Sequence, residues 1–481
     1  MAARTGEQFL KGLAQDERKL WFDGELVEDV TTHPQFAGAA RSMAELYDAQ
    51  YRDPDLHLMA SPSDGAPVHI THIIPKTKQD LRNRQAAIRA WAELSGGTRG
   101  RTPDYLNVTV ACFAGRADVL ARHDQDDGAN NIINYHAHVR DEDLCITHVL
   151  VNPQVDRSVT EDAQAGGEVA MRKIAQTDNG IIIHGAKMLA TLAPYSDELI
   201  VYPGYLLPDG ADDYAVSFAI PMDTPGLSFI CRDSYTRDRS IHDYPLSSRF
   251  DEQDAVAIFD HVEVPWDRVF VDADVTAYNA MQIEANWRAH IIHQAMTRAS
   301  TKLDFAFGLA HMIAQTTGVS TFGHVQEKLG EMWQYAEMTR SGLVSAIEGA
   351  EPDSGEIMTP DERPFVALRG LMPKWSTRAS ELIQLIGGGG FMATPTLKDM
   401  QGPMRGAIDK YYQARSSDAD KRIRLFRLAW DFIGSELAGR NELYERFYLG
   451  DAFRMTSLAY DLAPKDKHEY LVESFLREME E

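Results

Sequence analysis

The chain has 481 residues, more than a single hydrophobic core ordinarily organises, so several domains are expected. Apolar residues make up 44% and charged residues 25% of the sequence, which is ordinary for a globular protein in water. The formal charge of −24, from 48 basic and 72 acidic side chains, argues against nucleic acid or an anionic membrane surface as a partner.

Residues 1–142 are predicted to form an N-terminal helical domain. Phe9, Leu10 and Leu13 recur at helical spacing, and residues 36–51 repeat the pattern. Residues 78–94 combine strong helix formers with an apolar face, and a pair of glycines ends that segment.

Residues 143–272 are predicted to form a middle β domain. Segments rich in β-branched residues alternate there with turns that contain Pro, Gly, Asn and Asp. Short strands at such intervals favour a small barrel or sandwich. The predicted strands cover residues 144–151, 180–183, 198–201, 215–220, 227–231 and 255–264.

Residues 273–481 are predicted to form a C-terminal helical bundle domain. One long apolar-periodic helix is expected over residues 277–316, and a polar surface loop over residues 351–363. The other long helices are predicted at residues 325–347, 365–386 with a kink at Pro373, and 418–434. The fold class is therefore α+β, in the order helical, β, helical.

The familiar nucleotide and metal motifs are absent from the sequence. It has no GxGxxG, P-loop, HExxH or GxSxG pattern, and the pair His69 and His72 has no carboxylate or thiolate nearby. Three scattered cysteines do not make a disulfide framework. With no signal-peptide layout and no membrane-span-length apolar run, a cytoplasmic location without membrane attachment is predicted.

The turn at residues 100–107 places Arg101 four residues before Tyr105. Pro103 biases Thr102 away from the helical region, so the arginine is expected on an irregular turn that leads into a buried apolar run. A guanidinium and a phenol at such a position suit a pocket for a phenolate or carboxylate. The alternative is a surface turn with an Arg–Asp pair.

Three other positions admit both a functional and a structural interpretation. His148, on a predicted strand, is either a satisfied core residue or a group for proton exchange at a phenol oxygen. Thr191 ends a predicted turn at residues 185–191, which is either ordinary or placed to hydrogen-bond a flat heteroaromatic ring. The four glycines at 387–390 favour a plain helix stop over a ligand contact.

Further along, His293, Arg298 and Lys302 do not share one helix face, and solvated charges are expected there.

The chain carries seven short motifs in order: GRTPDYLN (100–107), THVLVNPQVDR (147–157), GAKMLAT (185–191), FDHVEVPWDRVFV (259–271), HQAMTR (293–298), IGGGGFMATPT (386–396) and GRNELYERFYLGD (439–451). Together they resemble the oxygenase component of the two-component, flavin-dependent 4-hydroxyphenylacetate 3-monooxygenases. The resemblance runs over nearly the whole length. It implies an acyl-CoA dehydrogenase-like fold and a homotetramer with flavin sites near subunit boundaries.

This resemblance also implies roles for individual residues. Arg101, Tyr105 and His148 look like the residues around the phenolic oxygen of the substrate, and Thr191 resembles a contact near the flavin N5. Contacts to a substrate carboxylate would fall at residues 202–207, whose sequence does not align to a carboxylate-binding pattern. The remaining flavin-contacting positions implied by the resemblance are Gln154, Val155, Asp156, Arg157, Tyr448, Leu449, Gly450 and Asp451.

The reaction implied by the resemblance is hydroxylation of a para-substituted phenol, such as 4-hydroxyphenylacetate or a tyrosine-like compound, ortho to its hydroxyl group. A separate flavin reductase would supply FADH2, and O2 would be the second substrate. No nicotinamide site is needed, in keeping with the missing dinucleotide motif.

Alternatives within the group are a halophenol or nitrophenol monooxygenase, with His293 as a possible base, and a tailoring hydroxylase acting on a tyrosine derivative tethered to a carrier protein. An acyl-CoA dehydrogenase-like flavoprotein, from a different class, would need a catalytic carboxylate. The related 4-hydroxybutyryl-CoA dehydratases hold an iron–sulfur cluster through a cysteine that is Ser300 here, so a cluster is not expected.

Overall fold

The computed structural model describes residues 3–236 and 240–479. Its N-terminal part is mainly helical, with four short strands. The helices are α1 Gly6–Gln15, α2 Ala37–Arg52, α3 Pro54–His57, α4 Lys78–Glu93, α5 Pro103–Gly115, α6 Asp118–Ala121 and α7 Asp126–Asp141. The strands are β1 Leu20–Phe22, β2 Glu25–Leu26, β3 Leu58–Ala60 and β4 Pro67–His69.

Local sequence explains how the two helices that flank the site begin. Thr77 and Asp80 form a reciprocal capping box at the start of α4, as expected for Thr three residues before an acidic side chain. Pro103 opens α5, where its missing N–H leaves no bond unmade. Residues 103–114 of α5 are all buried, so this helix is surrounded by the rest of the protein.

Two sheets make up the middle of the chain. The strands are β5 Ile146–His148, β6 Arg172–Gln176, β7 Gly180–Thr191, β8 Glu198–Val201, β9 Ser217–Pro221, β10 Leu227–Cys231, β11 Asp254–Pro265 and β12 Val269–Val271, with the short helix α8 Ser247–Phe250 before β11. One sheet has the order β2-β1-β10-β11-β7-β6, and the other has the order β12-β9-β8-β5. Strand β1 pairs parallel to β10, so the N-terminal part contributes to the larger sheet.

The predicted turn at residues 185–191 is wrong, because these residues continue β7 and pair with β11. Gly185 has a φ of +114° and its Cα lies close to the Ala170 carbonyl, where a Cβ would come within 2.6 Å of the oxygen. The glycine therefore permits a close approach inside a continuous strand rather than a chain reversal.

Long helices return after residue 274. They are α9 Val275–Glu284, α10 Trp287–Thr317, α11 Gly323–Glu348, α12 Glu362–Gly387, α13 Leu397–Met400, α14 Arg405–Tyr411, α15 Ala419–Ile433, α16 Glu436–Phe447, α17 Ala452–Asp461 and α18 Lys465–Glu478. The predicted loop at 351–363 contains the small hairpin β13 Glu351–Pro352 and β14 Met358–Thr359. Pro373 lies inside α12, and α12 ends at Gly387.

The single helix predicted over residues 277–316 is wrong, since the chain breaks between α9 and α10. Asn286 adopts the left-handed conformation, with φ +53°, and its side-chain amide donates to Asp353 at 3.0 Å. Asparagine tolerates this conformation better than most residues, and the bond to a distant carboxylate holds it there.

Two hydrophobic clusters meet around the region where α5, β5 and α10 come together. One joins α5, α7 and the C-terminal helices, and the other joins α1, α2 and the two sheets. The predicted helical–β–helical class is confirmed. Within the described ranges, none of the helices is both long and apolar enough to cross a membrane.

Candidate active site

The Arg101 guanidinium lies over the ring of Tyr105, with its central carbon 3.8 Å from the ring centroid. Thr102 is extended and Pro103 starts α5, so Arg101 lies just before the first turn of the helix that carries Tyr105. Only 9% of Arg101 is exposed, and Asp104 accepts a hydrogen bond from Thr102 instead of pairing with it. The surface-turn alternative is therefore wrong.

Two further tyrosines, from the end of α16, close around the same guanidinium. The ring centroids of Tyr444 and Tyr448 lie 5.2 and 5.6 Å from its central carbon, and these two rings stack at 4.4 Å. Arg101 donates to the Tyr444 hydroxyl, which donates to the carbonyl oxygen of Gly100 at 3.0 Å. Tyr444 was missed by the sequence analysis, although it lies within the motif at 439–451.

The charge of Arg101 is not neutralised by a direct ion pair with any described residue. Its backbone N–H donates to Glu252, while its Nε is buried without a hydrogen-bond partner. Burial lowers the pKa of Arg101, but the neighbouring Tyr105, Tyr444 and other groups outweigh burial and raise the pKa overall. A buried cation with an unused N–H group is suited to receive an anionic oxygen.

His148 extends the site from α5 to the smaller sheet. Its ring meets the ring of Tyr105 edge-on, with centroids 5.6 Å apart, and its Nδ1 lies 2.7 Å from the Tyr202 hydroxyl. Burial, and then the positive charge of Arg101, holds the pKa of His148 well below its usual value. The imidazole is therefore neutral near pH 7 and can accept a proton.

An aromatic wall lies behind His148. Tyr202 contacts Phe113 and Trp287 edge-on, at 5.4 Å between ring centroids in both pairs. Burial raises the pKa of Tyr202 well above its usual value, so its phenol stays protonated. Residues 202–207 are predicted to lie at the tail of the substrate, and Tyr202, the first of them, lies against His148, the predicted proton-exchange group.

Thr191 lies at the end of β7 and donates its hydroxyl proton to Asp254 at 2.8 Å. Arg232 and Arg440 both pair with this carboxylate, at 3.0 and 2.6 Å. Burial raises the pKa of Asp254, but the two arginines outweigh it and hold the pKa far below the usual range. The carboxylate is therefore a permanent acceptor, and the oxygen of Thr191 keeps its lone pairs free to accept a further hydrogen bond.

Arg440 connects the surroundings of Thr191 with those of Arg101. From α16 it pairs with Asp254 at 2.6 Å and with Glu252 at 2.5 Å. Glu252 is the acceptor of the Arg101 backbone N–H. One buried guanidinium thus links the residue predicted to contact flavin to the residue predicted to contact the phenol.

The predicted flavin segment 154–157 is exposed to solvent. It follows Val151, which bridges to Met188 of β7 through a backbone hydrogen bond of 2.7 Å. Backbone N–H groups of Val155 and Asp156 donate to the side chain of Gln164 at 3.0 and 3.3 Å. The chain just before this segment is therefore paired with the strand that carries Thr191.

The second predicted flavin segment, 448–451, follows α16. Tyr448 reaches the Arg101 guanidinium, and its hydroxyl is buried without a partner among the described residues. The Leu449 carbonyl accepts from Arg369 at 3.1 Å, and Asp451 caps the N-terminus of α17. Gly450 has a φ of +96°, a conformation that glycine adopts without strain.

The solvated charges predicted on α10 are wrong, because His293, Arg298 and Lys302 are all held inside the protein. Glu445 of α16 pairs with both Arg298 and Lys302, the latter at 2.9 Å. Burial raises the pKa of Glu445, but the two cations outweigh it and bring the pKa to about 2. His293 accepts a hydrogen bond from Arg84 at 3.3 Å, which leaves its Nδ1 unprotonated.

Two family models match this chain in sequence. The model described as 4-hydroxyphenylacetate 3-hydroxylase N terminal covers residues 5–271, and the model described as 4-hydroxyphenylacetate 3-hydroxylase C terminal covers residues 278–477.

Individual relatives agree with the family models. The 4-hydroxyphenylacetate 3-monooxygenase oxygenase component of Thermus thermophilus is 38% identical, over 99% of this chain and 98% of the relative. The oxygenase component of 4-nitrophenol 2-monooxygenase from a Rhodococcus species is 33% identical, over 96% of this chain and 89% of the relative. A crystal structure of a 4-hydroxyphenylacetate 3-monooxygenase oxygenase component with FAD and 4-hydroxyphenylacetate matches with a TM-score of 0.94 and 38% identity, over 99% of both chains.

Proposed function

This chain belongs to the 4-hydroxyphenylacetate 3-hydroxylase family, and we propose that it hydroxylates a para-substituted phenol ortho to its hydroxyl group to give a catechol. It is a flavin-dependent monooxygenase that uses FAD, as FADH2, together with O2. As an oxygenase component it works with a separate reductase and a phenolic substrate.

The observation that carries the proposal is the unneutralised guanidinium of Arg101 beside a phenol and a neutral imidazole. The ring of an aromatic alcohol becomes a stronger nucleophile as its hydroxyl proton leaves. Arg101 stabilises the phenolate that develops, Tyr105 donates a hydrogen bond that fixes the oxygen, and His148 accepts the proton. Since His148 is held neutral by burial and by Arg101, it is in the correct protonation state at neutral pH.

The flavin is assigned to the region of Thr191 at the end of β7 and Tyr448 at the end of α16. When bound, reduced FAD activates O2, delivers one oxygen atom to the ring and supplies the electrons that convert the other to water. The hydroxyl oxygen of Thr191 would accept a hydrogen bond from the flavin ring, because its own proton is donated to Asp254. The exposed guanidinium of Arg157 would suit the phosphates, and the Tyr448 hydroxyl, unpartnered among the described residues, would donate to the cofactor.

Residues 154–157 and 448–451 are therefore the proposed flavin-holding segments, with Thr191 as the contact at the ring. The donor chemistry of these residues fits an anionic, planar cofactor. The aromatic wall formed by Phe113, Tyr202 and Trp287 excludes water from the phenol side of the site.

A homotetramer is the proposed assembly, as the resemblance to the family implies. Support comes from α17 and α18, none of whose described residues is buried. Phe453 is 80% exposed and Phe475 is 63% exposed. An open cavity of about 700 Å³ lies between Lys374 of α12 and residues of α17, beside this surface. Apolar surface of this extent on one chain is characteristic of an interface.

The test of the proposed function supplies the purified protein with chemically reduced FAD, air-saturated buffer and a panel of phenols. The panel contains 4-hydroxyphenylacetate, 4-nitrophenol, a halophenol and tyrosine, free and as a carrier-protein thioester. Catechol and hydrogen peroxide are measured together for each compound. Catechol from one member identifies the substrate type, whereas peroxide without catechol from all of them contradicts the proposal.

The role of Arg101 is tested by Arg101→Met, which keeps the length of the side chain and removes its charge. Catechol formation is expected to fall about 100-fold to 1,000-fold, as for loss of one stabilising donor to a developing oxyanion. Reduced FAD still binds in this variant and O2 is still consumed, now yielding peroxide. Arg363→Ala, at an exposed arginine of α12, is the matched control and leaves the catechol yield unchanged. Undiminished catechol formation by Arg101→Met would show that the phenol binds elsewhere.

A further inference from the structure

Strand β11 carries a β-bulge opposite His184 of β7. Phe259 pairs with Gly185 and Val262 pairs with Ile183, so Asp260 and His261 both face the single residue between them on β7. His261 has a φ of +55°, a left-handed conformation that histidine adopts more readily than most residues. Bulges of this kind redirect side chains at the surface of a sheet.

The bulge brings two imidazoles and one carboxylate together. Nδ1 of His261 lies 2.8 Å and Nδ1 of His184 lies 3.7 Å from the same oxygen of Asp260. One ligand atom from each of the three residues lies within 4.8 Å of the other two. Nδ1 of His184 is buried and has no hydrogen-bond partner among the described residues, so a ligating nitrogen is left unused.

We propose that His184, Asp260 and His261 bind a divalent transition metal ion such as Zn²⁺. Two imidazoles and one carboxylate are a donor set that Zn²⁺ accepts, with water in the remaining position. Asp260 and His261 are exposed, which lets their side chains turn to the shorter distances of a metal site and leaves room for that water. The net charge of −24 favours a cation at the surface.

The positively charged side chain opposite His184 already has other partners, so it does not compete with a metal ion for the site. Arg172 is the β6 residue opposite His184, and it donates to the carbonyl oxygen of Gly167 at 2.9 Å and pairs with Glu168 at 3.1 Å. Within residues 3–236 and 240–479, no second group of three such ligands converges in the same way. His184 lies on the same strand as Thr191, near the other end of that strand, and the contacts described above for Arg101 and His148 involve none of the three proposed ligands.

A metal at this point would join β7 to the bulge of β11 and stabilise the folded chain, because it binds the folded state only. The test uses the full-length, tag-free protein after dialysis against a chelator. Calorimetric titration with ZnCl₂ is expected to give one site per chain. His184→Ala is expected to weaken that binding more than about tenfold, since loss of even an outer partner weakens a metal site by that factor or more. His324→Ala, at an exposed histidine of α11, is the matched control.

Two further measurements make the outcome decisive. Co²⁺ added in place of Zn²⁺ should give visible absorption bands in the original protein and in His324→Ala but not in His184→Ala. Zn²⁺ should also raise the Tm of the first two proteins and leave that of His184→Ala unchanged. Failure of the original protein to take up either metal overturns the proposal, as does uptake by His184→Ala and His261→Ala that equals uptake by the original protein.

Discussion

Arg101 is a buried cation whose neighbours are tyrosine rings rather than carboxylates. Removing a charge from water is costly unless it is paired, and ring faces offset only part of this cost. The three rings that contact the guanidinium leave its Nε unused. Such an arrangement is favourable once an anionic oxygen occupies the site, which is the state that the proposed reaction creates.

The depressed pKa of His148 predicts how stability changes with pH. The unfolded chain takes up a proton near pH 6.5, whereas folded His148 does so only at a lower pH. As the pH falls below about 6.5 the unfolded state binds more protons, so the free energy of unfolding decreases, by about 1.4 kcal/mol per pH unit for this group. Below the folded pKa the loss levels off.

Replacing His148 by Gln is therefore expected to make the free energy of unfolding depend less steeply on pH between about pH 5 and 6.5. The slope should decrease by about 1.4 kcal/mol per pH unit, the contribution of this one group. Urea unfolding measured at several pH values gives that slope. A residual slope remains, because burial also depresses the pKa values of His69, His72 and His290. His324→Gln controls for the loss of a histidine as such. Identical slopes for His148→Gln and the original protein would show that His148 titrates normally.

Some site residues can be predicted from short-range sequence and others cannot. Arg101 and Tyr105 meet because a proline starts a helix between them, which is visible in seven residues. Tyr444 lies 343 residues from Arg101, and its contact depends on how α16 packs. Arg298 was expected in solvent, because its partner Glu445 is 147 residues away and no local pattern indicates it.

Among the elements, strands bounded by clear turn residues are predicted best. Leu227–Cys231 has the predicted bounds, since both ends carry turn or polar signals. The predicted strand at 180–183 is shorter than β7, because residues 185–191 are predicted as a turn and the pairing with β11 that keeps them extended is not local. The break before α10 likewise depends on Asp353, which is 67 residues from Asn286.

Arg440 pairs α16 with two buried carboxylates, and this predicts a large effect of one substitution. Arg440→Met leaves the carboxylates of Glu252 and Asp254 buried without their shared cation. Breaking a buried ion pair from one side costs about 3–5 kcal/mol, so the free energy of unfolding is expected to fall by that amount. Thr191 and the Arg101 backbone donate to these two carboxylates, so a shift of the carboxylates is expected to lower the affinity for reduced FAD as well.

Urea unfolding and fluorescence titration with FAD check this prediction. Arg446→Met, on the same helix, is the matched control, because its pair with Glu442 is largely exposed. Surface pairs at this spacing contribute about 0.3–0.5 kcal/mol, so the control is expected to remain nearly as stable as the original chain. An equal fall in the free energy of unfolding in the two variants would contradict the stabilising role of the ion pairs of Arg440.

At the scale of the whole molecule, the order of helical, β and helical parts follows from a change in the hydrophobic pattern of the sequence near residues 143 and 272. The hydrophobic period changes there between that of a helix and that of a strand. The three residues of β1 were not predicted as part of the larger sheet. A strand this short has no pattern of its own, and it forms because Leu20 and Trp21 find partners on β10, more than 200 residues away.

The C-terminal helices give the prediction that concerns assembly. In α18, Leu471, Phe475 and Leu476 are more than half exposed, a cost that burial against other subunits would remove. The double variant Leu471→Glu, Phe475→Glu places charge in this surface and is expected to lower the assembly below a tetramer in light scattering after size exclusion. Glu473→Lys on the same helix changes charge outside the apolar set and serves as the control. Because the flavin sites are expected near subunit boundaries, the double variant should also bind reduced FAD more weakly. An unchanged mass for the double variant would show that subunits associate through another surface.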